Sequence, residues 1–198
     1  MSEQPPARRR RDAVKTKARI LSVAQKAFAS HGYSQTSIRD IAQGAGVAPS
    51  LLMRHFGSKP MLFREALLHG IQNATYTDVV FKQGKDGFGE RMVRLAMEEA
   101  GVDLTAMLIL ATGDRDAREV TSDVAQEYIV NGLAAWLGPP NGYARALSIV
   151  MLLNGFMLFT KQLSLGELPR YNAEWLAHTL QAIVDEGEGQ IGYRPEAD

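Results

Sequence analysis

The sequence predicts an all-α chain of about nine helices. Three observations carry this. Apolar residues recur at spacings of three and four over most of the length, the period of a helix with one buried face. No run alternates apolar and polar residues long enough to make a half-buried strand, so no sheet is expected. Glycine and proline interrupt the helical pattern at Gly32, Gly44–Gly46, Gly57, Gly84–Gly89, Gly101, Gly113-Asp114, Gly138-Pro139-Pro140 and Gly166–Pro169, leaving nine segments.

Residues 1–12 (MSEQPPARRRRD) are polar and rich in Pro and Arg, and are expected to form a disordered basic arm. From Val14, the residues Ile20, Leu21, Ala24, Ala27 and Phe28 form one apolar stripe, ended at His31-Gly32 because glycine suits the left-handed residue after a helix. Thr36 or Ser37 can cap the next helix, in which Ile38, Ile41, Ala42 and Ala45 face one way. Gly44-Ala45-Gly46 breaks it, and Pro49 suits the first turn of a third helix that buries Leu52 and Phe56. Gly57-Ser58 closes that helix and caps a fourth, about 59–81, with Leu62, Phe63, Ala66, Leu67, Ile71 and Ala74 inward. Further helices are expected at about 88–100, 103–113, 115–137, 141–165 and 172–186, with a frayed tail from Gly187.

Composition excludes several function classes. The 198 residues contain no cysteine, which removes disulfide scaffolds, thiolate metal sites and cysteine nucleophiles together. The polar, arginine-rich start shows no signal peptide, so a cytoplasmic protein is expected. The longest uncharged apolar run, between Arg145 and Lys161, has 15 residues. A bilayer span needs about 20, so this run is expected to be a buried helix and no membrane partner is expected. There is no glycine-rich phosphate loop after a strand, no His pair at metal spacing and no supported Ser/His/Asp arrangement, so neither an enzyme nor a metal or cofactor site is expected.

Formal net charge is zero, with 22 Lys+Arg against 22 Asp+Glu. That balance conceals an asymmetry. Residues 1–70 hold 12 basic and four acidic residues and carry +8, while residues 71–198 hold 10 basic and 18 acidic and carry −8. A basic segment invites an anionic partner. Within it, Thr36 to Phe56 (TSIRDIAQGAGVAPSLLMRHF) reads as two short helices joined by a glycine-containing turn, a helix-turn-helix. Ala42 is small where the helices cross, and Gly46 takes a turn conformation that a side chain would oppose. Ala48, Pro49, Ser50, Leu51, Met53, Arg54 and His55 are left near the exposed side of the second of these helices. In such motifs that helix enters the major groove of duplex DNA.

From about Thr16 to Leu67 the sequence resembles the TetR family of transcriptional regulators. The resemblance rests on ARILSVAQKAFASHGY, TSIRDIA, AGV and HFGSK followed by Leu62-Phe63. It implies a three-helix DNA-binding domain (13–58) after the arm, a helical ligand-binding and dimerisation domain (59–186) and a flexible tail (187–198). Position by position, it places Arg39 where members touch a base or phosphate, Thr36 and Ser37 where a helix start meets the DNA backbone, and His55 and Lys59 at phosphate-contacting positions. Three departures matter. Met53 replaces the usual tyrosine and removes a hydroxyl donor, Pro49-Ser50 stand at the commonly small position that begins the recognition helix, and Leu51 replaces a frequent polar residue. Direct readout is therefore expected from Ser50, Arg39 and Arg54, with Leu51 or Pro49 against a thymine methyl. Arg8–Arg11 read more simply as a solubilising tail with nonspecific phosphate attraction than as a minor-groove arm.

Beyond Met92 most apolar residues are expected to be core. Met and aromatic residues at helical spacing nonetheless suggest an adaptable apolar pocket, for which Met92, Met107, Tyr128, Met151, Asn154, Phe156 and Phe159 are the candidates. Asn154, an amide in an apolar run, should face a partner, a ligand or a subunit. Leu176, Leu180, Ile183 and Val184 form a stripe on the last helix. Packed with its neighbour against symmetry mates, it would give a four-helix dimer interface, as the resemblance also implies. The expectation is a homodimeric repressor that binds a palindromic duplex operator and is released by a small apolar effector. The alternative is a constitutive or architectural repressor whose second domain only dimerises.

Overall fold

The computed structural model describes residues 6–73, 82–98, 104–163 and 170–186, and among them every regular element is helical. The helices are α1 (Pro6–Gln35), α2 (Ile38–Gly44), α3 (Pro49–Phe56), α4 (Lys59–Asn73), α5 (Phe88–Met97), α6 (Leu104–Ala111), α7 (Arg115–Val124), α8 (Asn131–Leu137), α9 (Gly142–Met157) and α10 (Arg170–Asp185). A π-helical segment, Ala125–Val130, joins α7 to α8 in one run, and another, Leu158–Gln162, extends α9. With the α7–α8 run counted once, the described residues hold the nine helices expected. The frayed tail lies outside them.

The arm is a correction. Helix α1 begins at Pro6 and takes in Arg8 to Arg11. Proline is preorganised for a first turn, and Ala and Arg are strong helix formers, so local propensity extends the helix beyond its apolar stripe. At the other end Gly32 (φ 75°) interrupts it, where expected.

The chain divides into two compact units, Met1–Asn73 with Gly101–Val124 and Ala74–Ala100 with Ala125–Asp198. In the first, α1 contributes Ile20, Leu21, Ala24 and Phe28 to a core shared with Ile41, Leu52, Phe63 and Leu67, all buried. Phe28, Tyr33 and Phe63 form an aromatic cluster, with ring centroids 4.9 to 5.8 Å apart. Helices α6 and α7 belong to this core through Met107, Ala111, Ala117 and Val124. One polar tie runs through it: the Gln25 amide donates to the Ala66 carbonyl at 2.8 Å, and its oxygen lies 3.4 Å from His69 Nδ1.

The second unit packs α5, α8, α9 and α10 around Phe88, Met92, Leu133, Leu137, Ile149 and Leu180. Helices α5 and α10 meet backbone to backbone. A Cβ built on Gly89 would lie 1.9 Å from the Ala177 carbonyl oxygen, closer than real atoms come. The Gln181 side chain seals the crossing, accepting from Gly89 N at 3.2 Å and donating to the Lys85 carbonyl at 3.1 Å. Arg145 is 3 % exposed, and its guanidinium donates to five carbonyls. These are Pro140 (3.0 Å), Ile183 (3.3 Å), Val184 (3.1 Å), Leu137 (3.2 Å) and Gly138 (2.7 Å). The last carbonyls of a helix have no partner within it and carry its negative end, so one cation satisfies the ends of α8 and α10 together.

Two burial expectations are overturned. Leu176, Leu180 and Val184 are buried in this unit's own core, and Ile183, half-buried, packs against it. Periodicity finds an apolar stripe without saying what covers it; here α5 does. Nor is the run from Arg145 to Lys161 a mostly buried helix. Gly142–Gln162 is long and apolar enough to cross a membrane by length and composition, with mean hydropathy 1.4 and 22 % buried. Tyr143, Leu147 and Met151, four residues apart, lie exposed along it.

Candidate nucleic-acid interface

The amino-terminal unit builds the site around α2 and α3. Helix α2 starts with a reciprocal cap: Asp40 N donates to Ser37 Oγ at 3.1 Å, and Ser37 N donates to Asp40 Oδ2 at 3.1 Å. The Ser37 hydroxyl also donates to that oxygen at 2.6 Å. These bonds, hydroxyl first, hold the Asp40 carboxyl below its ordinary range. Ile41 and Ala42 fix α2 to the core, which leaves Arg39 exposed. In the turn Gly46 has φ 61°, and Val47 N donates back to the Ala42 carbonyl at 3.0 Å. Helix α3 is tethered by Leu52 and Phe56 alone. Its Ala48, Pro49, Ser50, Arg54 and His55 are exposed and Leu51 is half-buried. Ala48 makes no side-chain bond to the first turn, where Leu51 N donates to the Ala48 carbonyl at 2.9 Å. Val47, Ala48, Ser50, Leu51 and Arg54 line an open concavity of about 430 Å³.

Helix α4 places Lys59 in its first turn, behind the cap in which Met61 N donates to Ser58 Oγ at 3.3 Å. The Lys59 ammonium lies over the Tyr33 ring, 4.2 Å from its centroid. Such a cation–π contact holds a flexible side chain at about 1 kcal/mol while leaving the charge available. Burial pushes the ammonium below its ordinary range, against the pull of the Asp114 carboxylate.

Eight of the nine sequence-derived DNA contacts thus keep some exposure, though Ser37 has committed its amide and hydroxyl to Asp40. Ser37, Arg39, Pro49, Ser50, Arg54 and His55 are exposed, while Leu51 and Lys59 are half-buried. Thr36 is the exception and a correction. It is 2 % exposed, and its hydroxyl donates to the Gly32 carbonyl at 2.7 Å and the Ala27 carbonyl at 3.2 Å. Its amide donates to the Tyr33 carbonyl, so Thr36 closes the end of α1 and has nothing left for phosphate. Tyr33 was missed by sequence reasoning. An aromatic residue just after the helix-ending glycine was the available signal.

The pocket candidates are divided between the two units. Met107 belongs to the amino-terminal core and Met92 to the other. Phe156 packs on the second core, whereas Tyr128, Met151 and Phe159 are exposed. Asn154 finds its partner within its own helix, donating to the Val150 carbonyl at 2.8 Å. Among the described residues, no group of three His, Asp or Glu side chains could hold a metal ion.

The profile of "Bacterial regulatory proteins, tetR family" matches residues 20–66, and that of "Tetracyclin repressor-like, C-terminal domain" matches residues 86–186. The chain belongs to the TetR family. One relative is the probable acrEF/envCD operon repressor of Escherichia coli, 38 % identical over 61 residues. That alignment spans 31 % of this TetR-family chain and only 28 % of the relative, so the likeness lies in one part of each protein. Solved structures match over far more of the length. A TetR-family transcriptional regulator from Rhodococcus sp. superposes with TM-score 0.66 at 17 % identity, covering 89 % of this chain and all of the other. The multidrug binding protein EbrR, solved with malachite green, gives TM-score 0.60 at 22 % identity over 84 % and 96 %. At such identities the TetR fold is shared and the effector is not thereby assigned.

Proposed function

We propose that this TetR-family chain is a homodimeric repressor that binds a palindromic duplex operator and leaves it when a small, mostly apolar molecule binds the carboxy-terminal unit. The observation that carries the reading is the exposed face of α3 in a unit of net positive charge, with Arg39 beside it and Lys59 held on Tyr33. Ser50, Arg54 and Arg39 are the base-reading candidates, with Leu51 or Pro49 for a thymine methyl. His55 and Lys59 are the phosphate candidates, with Ser37 able to join them only by giving up a bond to Asp40. This reading assigns DNA reading to 13–58 and sensing and dimerisation to 59–186, although α4, α6 and α7 of the latter share the core of the former. The repressor relative supports the sign of regulation, and the structural neighbour solved with malachite green supports a small-molecule effector. An intracellular, DNA-facing location follows from the same reading.

The exposed α9 face, Tyr143, Leu147 and Met151, together with Tyr171 and Trp175 of α10, is the surface for a second copy. A pair of reading heads then matches two half-sites. Arg145 beneath that face is committed to carbonyls, which favours cover by protein over cover by lipid.

Anisotropy titration against the DNA upstream of its own gene tests the reading. Lys59→Ala should weaken binding equally on operator and scrambled duplexes and reduce the salt slope by about one. Arg39→Ala should blunt discrimination at one base position. Identical behaviour of the two variants would overturn the split between base and phosphate contacts.

A further inference from the structure

Asp114 stands between α6 and α7, eighty residues from Ser34, yet it reaches the residue beside the Tyr33 platform that holds Lys59. Its Oδ1 accepts from Ala117 N at 3.1 Å and its main-chain oxygen from Arg118 N at 2.9 Å, which caps the first turn of α7. Its Oδ2 accepts from the Ser34 hydroxyl at 3.2 Å. Ser34 follows Tyr33, whose ring carries the Lys59 ammonium. The neighbouring cation on α7 is otherwise engaged, Arg115 pairing with Glu119 at 3.1 Å. The Asp114 carboxylate thus bridges the first turn of α7 and Ser34, the residue next to the tyrosine that carries Lys59. The Tyr33 hydroxyl registers that field: burial first, then Asp114 and Asp116, push it up to about 12, so the ring stays neutral beneath the cation.

We propose that Asp114 is an affinity-setting residue for DNA: fixed at the start of α7, its carboxylate competes with a DNA phosphate for the Lys59 ammonium. A phosphate that approaches Lys59 must displace part of the attraction already supplied from α7, so binding is weaker than the basic face alone would give. The strength of that competition depends on where α7 begins. A shift of its first turn would then change DNA affinity without moving α3. The inference rests on the reading of Lys59 as a phosphate contact.

A double-mutant cycle tests both levels. Asp114→Asn keeps an acceptor for Ala117 N and presents its amide to the Ser34 hydroxyl, which can accept, while removing the charge. Asp114→Asn, Lys59→Ala and the double variant are titrated against operator and scrambled duplexes at several salt concentrations. Asp114→Asn should tighten binding on both duplexes on the order of threefold at low salt, as expected for one partly screened charge. It should steepen the salt dependence, and both effects should vanish in the Lys59→Ala background. A lost cap would alter folding but not the salt slope. Should Asp114→Asn fail to fold, Asp114→Ser keeps a capping oxygen and carries the same test. Tightening that persists without Lys59, or no tightening, overturns the competition while Lys59 keeps its role. A Lys59→Ala variant with unchanged affinity and slope overturns the phosphate reading, and the competition with it.

Discussion

His69 is tied to α1 through a single amide. With the Gln25 nitrogen committed to the Ala66 carbonyl, its oxygen accepts, so the neutral imidazole donates from Nδ1. Burial first, then Lys17, lowers the His69 pKa from its ordinary 6.5. A group whose folded value is depressed binds a proton more readily when unfolded. Stability is therefore full above pH 6.5 and declines as the pH falls from there through the lower folded value. Urea unfolding between pH 8 and 5 should show this decline, and His69→Gln should flatten it. A profile unchanged by the substitution would remove His69 from the account. At this scale the sequence discloses residues that act through their neighbours in the chain. Ser37 and Asp40, three apart, announce their cap. Asp114 gives no such sign, because its partner Ser34 is eighty positions away and any exposed acid could have stood there.

Helices in the carboxy-terminal unit are joined by their ends as much as by their sides. Arg145 satisfies carbonyls at the ends of α8 and α10, of which Leu137 also accepts from Lys85 Nζ at 3.3 Å. Arg145→Met should therefore cost about 3–5 kcal/mol in urea unfolding, since removing a buried cation strands groups it served. Arg145→Lys should recover only part, because one ammonium cannot reach in the directions of a planar fork. A loss under 1 kcal/mol would show the carbonyls finding water instead. No sequence pattern reveals such a web, since its acceptors are main-chain oxygens that every residue owns. The recognition elements are legible for the opposite reason: α2, the Gly46 turn and α3 depend on which side chains are small, apolar or absent at fixed local offsets. The last helix falls between these cases. Its stripe was visible, but α5, eighty residues away, took the place expected for a symmetry mate.

Across the whole chain, neutrality is a cancellation between a +8 amino-terminal segment and a −8 remainder. A charge that is zero in sum and large in parts suits a protein that must meet phosphate on one surface only. Self-association should depend on the other part. Met151, 60 % exposed on the apolar α9 face, is the place to test it. Met151→Glu should shift the species in sedimentation from dimer to monomer and weaken operator binding without changing the affinity of one head for a half-site. A dimer that survives the substitution would move the interface elsewhere. How helices follow one another was readable from glycines and prolines; which segments share a core was not, because Met107 and Ala117 look like core residues of any helix. The contact between Gly89 and Ala177 has a further consequence, for genetics. Two backbones in contact leave no room for even one carbon, so Gly89→Ala must part α5 from α10 while leaving the DNA-reading residues intact. Such an allele should be temperature-sensitive, repressing in the cold and releasing its genes on warming whether or not an effector is present.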